Sequence, residues 1–317
     1  MSATIVSINS TNVRNAVRFG WARLAVAVAS VVSRERAIEV AARLFTSPPR
    51  HAHTVRELEF LASGTRFDVA TRDARLAAWR FGAADRPAVI LSHGWGGRGA
   101  QLRSFVPALL ESGYQVVLFD HAAHGLSDGR EATLVHFVKG LEAVATHVEA
   151  QGARVAGIVA HSLGAAAAGA WLNQTRREMR VVLIAPPTSL ERYSSFFARR
   201  LGIRESIRRA MQERFERRLG FRWSEFELPQ SVATMRAAAL VIHDAADEDV
   251  AFASGLALAR AWRGARFVRT QGLGHRAILR DPGVVRDAAD FIADRVIFAP
   301  PPQRGHTSAL GSPAPIL

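Results

Sequence analysis

Residues 154–172 read RVAGIVAHSLGAAAAGAWL. An apolar run reaches Ala160, His161 and Ser162 follow, and Gly164 with a block of alanines opens a helix. A run without polar alternation is a strand covered on both faces, as in a parallel sheet. Where such a strand turns sharply into a helix, the serine at the turn stands at the carboxyl edge of the sheet, where open α/β sheets carry their reactive groups. Ala160 and Gly164 lie two residues to either side of Ser162 and are small enough to let strand and helix pack through that turn. The helix start also aims N–H groups and the positive end of its dipole at the serine. A serine flanked by small residues is ordinarily a helix N-cap, so the rest of the chain has to decide between the two readings.

Working outward, similar apolar runs recur at 87–92 (PAVILS), 114–120 (YQVVLFD), 179–185 (MRVVLIA), 238–244 (AALVIHD) and 265–270 (ARFVRT). RFDVAT and RLAAWRF precede them as two strands joined by a turn at Arg72-Asp73. Helical stretches lie between the runs, near 100–112, 132–150, from 163, 252–263 and 283–296. Apolar strands alternating with helices predict an α/β layer fold with a mostly parallel sheet. The segment 298–317, rich in proline, reads as a disordered tail.

The chain has 317 residues, 49% of them apolar, enough for one large core. It has no cysteine, which excludes disulfides, thiolate metal sites and a cysteine nucleophile, and fits a cytoplasmic protein. The formal charge is +13, but Lys139 is the only lysine, and the arginines are not interleaved with aromatics as a nucleic-acid platform requires. No nucleic-acid partner is therefore expected. Residues 1–65 form an N-terminal extension in which Val13, Val17, Trp21, Leu24, Val28 and Val32 recur at helical spacing. This amphipathic helix either packs on the main domain or lies on a membrane surface. Its apolar run LAVAVASVV is far too short to span a bilayer, and no clear cleavage site follows it as in an export signal. TSPPR at 46–50 ends the helical region.

A serine hydroxyl needs a base, and the base needs an orienting acid. For a serine on a strand–helix elbow the chain order is Ser, acid, His. His275 follows the last strand through the flexible QGLG, and the acid should end the strand before it. There LVIHDAADEDV offers Asp244, Asp247, Glu248 and Asp249. Asp247 takes the acid's place in a pattern of the form LVIHG-x-x-D-x-x-V, with Asp244 standing where glycine is common. The tetrahedral oxyanion needs two N–H donors. Leu163, after the serine, is one candidate. SHGWGGRG at 92–99 resembles a His-Gly-x-x-Gly oxyanion loop and makes Trp95 the other.

With the elbow, HGWGG, FDHAAHGLSDG and GLGHR in order, residues 66–297 resemble the α/β-hydrolase superfamily, in particular a bacterial branch of serine aminopeptidase-like and lysophospholipase-like hydrolases. The resemblance implies an eight-stranded-type, mostly parallel sheet with helices on both faces, at 66–187 and 233–297. It also implies hydrolysis of a small-molecule ester or amide without cofactor or metal. A helical lid is expected at 188–232, where caps of this superfamily are inserted, though a helix simply packed on the body is the alternative. Ile203, Ile207, Met211, Phe215 and Leu219 would form one apolar helical stripe there, with arginines on the opposite face. His93 and His161 read as structural, His121 and His124 lack the carboxylates of a metal site, and Asp128 reads as a turn residue. An acyltransferase would use the same covalent intermediate. A non-catalytic binding protein on this fold would be expected to lack one of the three side chains.

Overall fold

The computed structural model describes residues 10–295, with side chains described from residue 20 onward. The tail expected at 298–317 and the side chains of Val13 and Val17 lie outside the described residues. Three helices lead the chain: α1 (Ser10–Val32), α2 (Arg34–Thr46) and α3 (Val55–Ala62). Ser33 separates the first two, its side chain accepting from Arg36 N to cap α2. Pro48 and Pro49 follow α2 and cannot continue it.

The hairpin β1 (Thr65–Ala70) and β2 (Arg75–Phe81) comes next. Then follow β3 (Ala88–Ser92), a 3-10 turn at Gly99–Phe105 running into α4 (Val106–Glu111), β4 (Gln115–Phe119), α5 (Leu134–Ala150), β5 (Val155–His161), α6 (Leu163–Thr175) and β6 (Arg180–Ile184). Helices α7 (Leu190–Leu201), α8 (Glu205–Leu219) and the single turn α9 (Leu228–Ser231) precede β7 (Ala238–Asp244). The chain closes with α10 (Phe252–Ala261), β8 (Arg266–Thr270), the short α11 (Gly274–Ala277) and α12 (Pro282–Ile292).

The eight strands form one sheet in the order β1-β2-β4-β3-β5-β6-β7-β8. The β1–β2 and β2–β4 pairings are antiparallel and the other five are parallel. Alternate residues of each strand enter opposite cores, because side chains along a strand alternate between faces. Ile90 packs with Phe137, Leu141 and Trp171 of α5 and α6 on one face. Val89 and Leu91 pack with Leu109 of α4 and Phe291 of α12 on the other. This is the α/β-hydrolase fold, and its strands lie within a residue or two of the apolar runs that predict them. The last helix stops at Ile292, short of the expected 296, because Asp294 turns into the left-handed region at φ 61°.

The helices above the sheet depart further from expectation. Residues 190–219 form two helices, since Gly202 takes φ 71° and ends α7. Ile203 therefore lies between helices rather than on α8. Ile203, Ile207, Met211 and Phe215 are buried in one cluster with Ala37, Ile38 and Ala41 of α2. Most of the apolar stripe is thus taken up by the N-terminal helices. Arg208 is buried among the residues expected to be solvated, its guanidinium on Glu205 at 2.7 Å, Ser194 at 3.0 Å and Gln212 at 3.1 Å.

Candidate active site

The strand–helix junction at Ser162 carries backbone strain, with φ 52° and ψ −124° at the serine. A side chain at Gly164 would fall onto the carbonyl oxygens of Ser92 and His93, so only glycine lets α6 start this close to β3. Gly94 lies equally close, since a Cβ there would reach 2.7 Å from the Ser162 Cβ. The serine is therefore held between two glycine-lined backbones with its hydroxyl at the carboxyl edge of the sheet.

Ser162 Oγ lies 3.0 Å from His275 Nε2, and His275 Nδ1 lies 2.8 Å from Asp247 Oδ2. A carboxylate only accepts, so the Asp247 contact puts the imidazole proton on Nδ1 and leaves Nε2 to accept from the serine. The other Asp247 oxygen accepts from the N–H groups of Asp249 at 2.9 Å and Val250 at 2.8 Å. His243 Nε2 stands 3.3 Å from Oδ2. Burial alone would raise the Asp247 pKa, but the bonds from His243, His275 and Val250 N–H outweigh it and hold the carboxyl well below its ordinary value. The backbone of His275 is fixed as well, its carbonyl accepting from His161 Nε2 at 2.8 Å.

The remaining carboxylates of that loop are used differently. Asp244 is fully buried and accepts four bonds, from Ala246 N at 2.9 Å, Thr270 Oγ1 at 2.7 Å, Leu273 N at 3.0 Å and Gly274 N at 3.0 Å. It clamps the loop bearing Asp247 to the loop bearing His275, and it bonds backbone next to His275 rather than its ring. Asp249 lies 3.9 Å from Arg276 at the surface.

Leu163 is the first residue of α6, so its N–H has no carbonyl one turn earlier to bond. Trp95 faces the same cavity as Leu163. Its loop is held from below: Gly97 N bonds Gly94 O at 3.0 Å, and Gly96 N donates to His124 Nε2 at 3.0 Å. His124 Nδ1 in turn donates to Ala122 O at 2.9 Å. His93 donates from Nδ1 to Gly94 O at 2.7 Å and accepts the His121 N–H at Nε2. His121 Nε2 meets Ser92 Oγ at 2.8 Å. Burial lowers the pKa of His93 to about 4 and that of His124 to about 3, and lowers that of His121 as well. All three are neutral struts of the loop. Asp128 lies just past the turns at 122–126 and ties that loop to β2, its N–H on Arg75 O and its carbonyl on Ala123 N.

Sequence reasoning missed three contributors. Asp120 accepts from Gly99 N, Leu126 N and His53, so the N-terminal segment is tied to both loops. Arg50 caps the carbonyls of Ala123, Ser127 and Gly129. Phe45, at the end of α2, lines the cavity over Leu163 together with Trp95, Tyr193, Phe215 and Trp223. His243, beside Asp247, was missed as well, although a polar residue within an apolar strand is a signal the sequence carries; the contacts of residues 45–53 leave none. The cavity is narrow, with about 30 Å³ of space open to the centre of a water-sized sphere. A more open cleft of about 350 Å³, bordered by Arg72, Lys139 and Glu142, contains none of these residues.

Fold and site together define an α/β-hydrolase. The family model described as serine aminopeptidase, S33, matches residues 83–273, more than half of the chain, and the chain belongs to this hydrolase family. No curated protein matches it. Among solved structures, the esterase Pf2001 of Pyrococcus furiosus is similar at TM-score 0.58 and 19% identity, over 74% of this chain and 92% of that one. Est1E of Butyrivibrio proteoclasticus, solved with ferulic acid, gives 0.58 and 16%, over 72% and 98%. A hydrolase of Pseudomonas aeruginosa gives 0.54 and 24%, over 73% and 98%. At these identities the likeness speaks for the fold.

Proposed function

We propose that this hydrolase cleaves a carboxylic ester through an acyl-enzyme on Ser162. The observation that carries the reading is the unbroken chain Ser162 Oγ–His275–Asp247, with 3.0 Å and 2.8 Å contacts. Ser162 Oγ attacks the ester carbonyl while His275 Nε2 takes its proton. The oxyanion accepts from the N–H groups of Trp95 and Leu163. Collapse breaks the bond to the alcohol, which leaves with the proton from His275. Water then attacks the acyl-enzyme with His275 as base, releasing the acid and restoring the serine. Asp247 keeps the proton on Nδ1 and stabilises the imidazolium.

An apolar acyl group suits the cavity better than the free amino terminus that the family's name suggests. None of the residues lining the cavity is acidic, and a buried ammonium without a carboxylate is costly. Helices α7 and α8 act as the lid, with Phe215 and Leu219 as its inner surface. A fluorophosphonate probe should label the wild type and leave Ser162→Ala unlabelled, with ester turnover down roughly 10⁴- to 10⁶-fold. Persistent labelling of the variant would refute the assignment.

A further inference from the structure

From residue 20 onward, helix α1 turns the less hydrophobic of its faces toward the protein. Val26 and Ala29 are buried, with Ala22 partly so, against the cluster that α2, α7 and α8 share. On the outer face Trp21, Leu24, Val28, Val31 and Val32 are 68%, 51%, 55%, 89% and 69% exposed. From Trp21 to Val32 the only charged side chain is Arg23. A surface helix of a globular protein ordinarily turns its apolar stripe inward. An outward stripe of five large side chains is a contact surface for something else.

The charges around the stripe identify its occupant. The first 34 residues contain Arg14, Arg18, Arg23 and Arg34 and no acidic residue. Arg23 lies within the exposed stripe and Arg34 just beyond its end, and both are exposed. Glu35 follows Arg34 directly, but α1 itself carries no carboxylate, so a second copy docking along it would set Arg23 against like charge. An anionic lipid surface satisfies both parts: phosphates take the arginines, and the interfacial acyl region takes leucine, valine and the tryptophan ring. Among the described residues no helix is long and apolar enough to cross a membrane. We propose that α1 docks the protein on an anionic membrane surface, lying in its plane with Trp21, Leu24, Val28 and Val31 toward the lipid.

The test is sedimentation of the full chain with vesicles. One set contains roughly 30 mol% phosphatidylglycerol in phosphatidylcholine, the other phosphatidylcholine alone. Binding to the anionic set should be at least about 10-fold tighter and should weaken with salt. Leu24→Glu/Val28→Glu should reduce it at least about 10-fold with an unchanged thermal unfolding midpoint. Arg23→Glu/Arg34→Glu should weaken binding to the anionic set selectively. The proposal is overturned if the wild type ignores both sets, or if the Leu24/Val28 variant binds as well as the wild type. It is also overturned if light scattering shows a wild-type dimer that this variant dissolves, which would make a second copy the occupant.

Discussion

Below the cavity, at the carboxyl edge of the sheet, each loop is pinned by directed hydrogen bonds to a buried side chain. Asp120 joins two loops, Asp244 joins two more, and His124 carries the turn at Gly96. Above the cavity, contact is made by rings. Phe45 lies 5.1 Å from Phe197, 5.7 Å from Trp223, 5.8 Å from Tyr193 and 6.0 Å from Phe215 between centroids. Hydrogen bonds fix position and proton location, which acid–base transfer requires to within a fraction of an ångström. Ring packing fixes volume and tolerates exchange. The floor should therefore govern rate and the roof selectivity, and each prediction tests that division.

The largest effect after loss of Ser162 itself belongs to the floor. Asp247→Asn should cost about 10³- to 10⁴-fold in kcat, because an amide beside Nδ1 favours the wrong tautomer. Asp244→Asn leaves the His275–Asp247 bond intact but turns an NH₂ toward groups that donate to it, at Ala246 and Gly274 or at Thr270 and Leu273. Its cost should be smaller, about 10- to 100-fold, through displacement of the His275 loop. Ester kinetics on the two variants decide this, and a more severe Asp244→Asn would mean that holding the loops matters more than the tautomer.

The same carboxylates show where the sequence stopped being readable. The elbow, the strand positions and His275 follow from local pattern, because apolar runs, small residues and glycines act within a few positions of themselves. Asp244 and Asp247 share one loop and one chemistry, and they differ only in which groups near residue 275 each one meets. That is a tertiary fact. The roof was less legible still. Helical spacing marks Ile203, Ile207 and Met211 as apolar but not what covers them, and the answer was α2. The same spacing marked Trp21, Leu24, Val28 and Val32 on α1, whose stripe faces outward.

Acidification should strike the floor. His93 titrates near 4, and His124 and His161 near 3, chiefly because burial penalises their charged forms. In the unfolded chain each would titrate near 6.5. Between those values the unfolded state binds more protons, so stability is full above about 6.5 and falls as pH drops toward the folded values. Each histidine contributes up to about 1.4 kcal/mol per pH unit in that window. The depressed Asp247 adds a loss in the same direction below its unfolded value, near 3.9. Urea unfolding at pH 7 and pH 5 should differ by several kcal/mol. A flat result would mean that the buried imidazoles already carry protons in the native state.

The smallest expected effect belongs to the roof, and it should appear as a change of preference. Across acetyl, butyryl, hexanoyl and octanoyl esters, each methylene should improve kcat/KM by up to about 1 kcal/mol until the cavity is full, in line with roughly 0.8 kcal/mol per buried CH₂. Phe215 lines that cavity, whereas Met211, four residues earlier on α8, is fully buried in the cluster with α2. Phe215→Ala should thus move the optimum to longer chains. Met211→Ala should lower stability by about 2–5 kcal/mol while leaving the optimum where it was. The pair separates lining from support, since both substitutions shorten an apolar side chain on one helix and only one of them borders the cavity. If Met211→Ala moves the optimum as far as Phe215→Ala does, the roof is a single deformable unit. Selectivity would then reside in the packing between α2 and α8 rather than in the cavity wall.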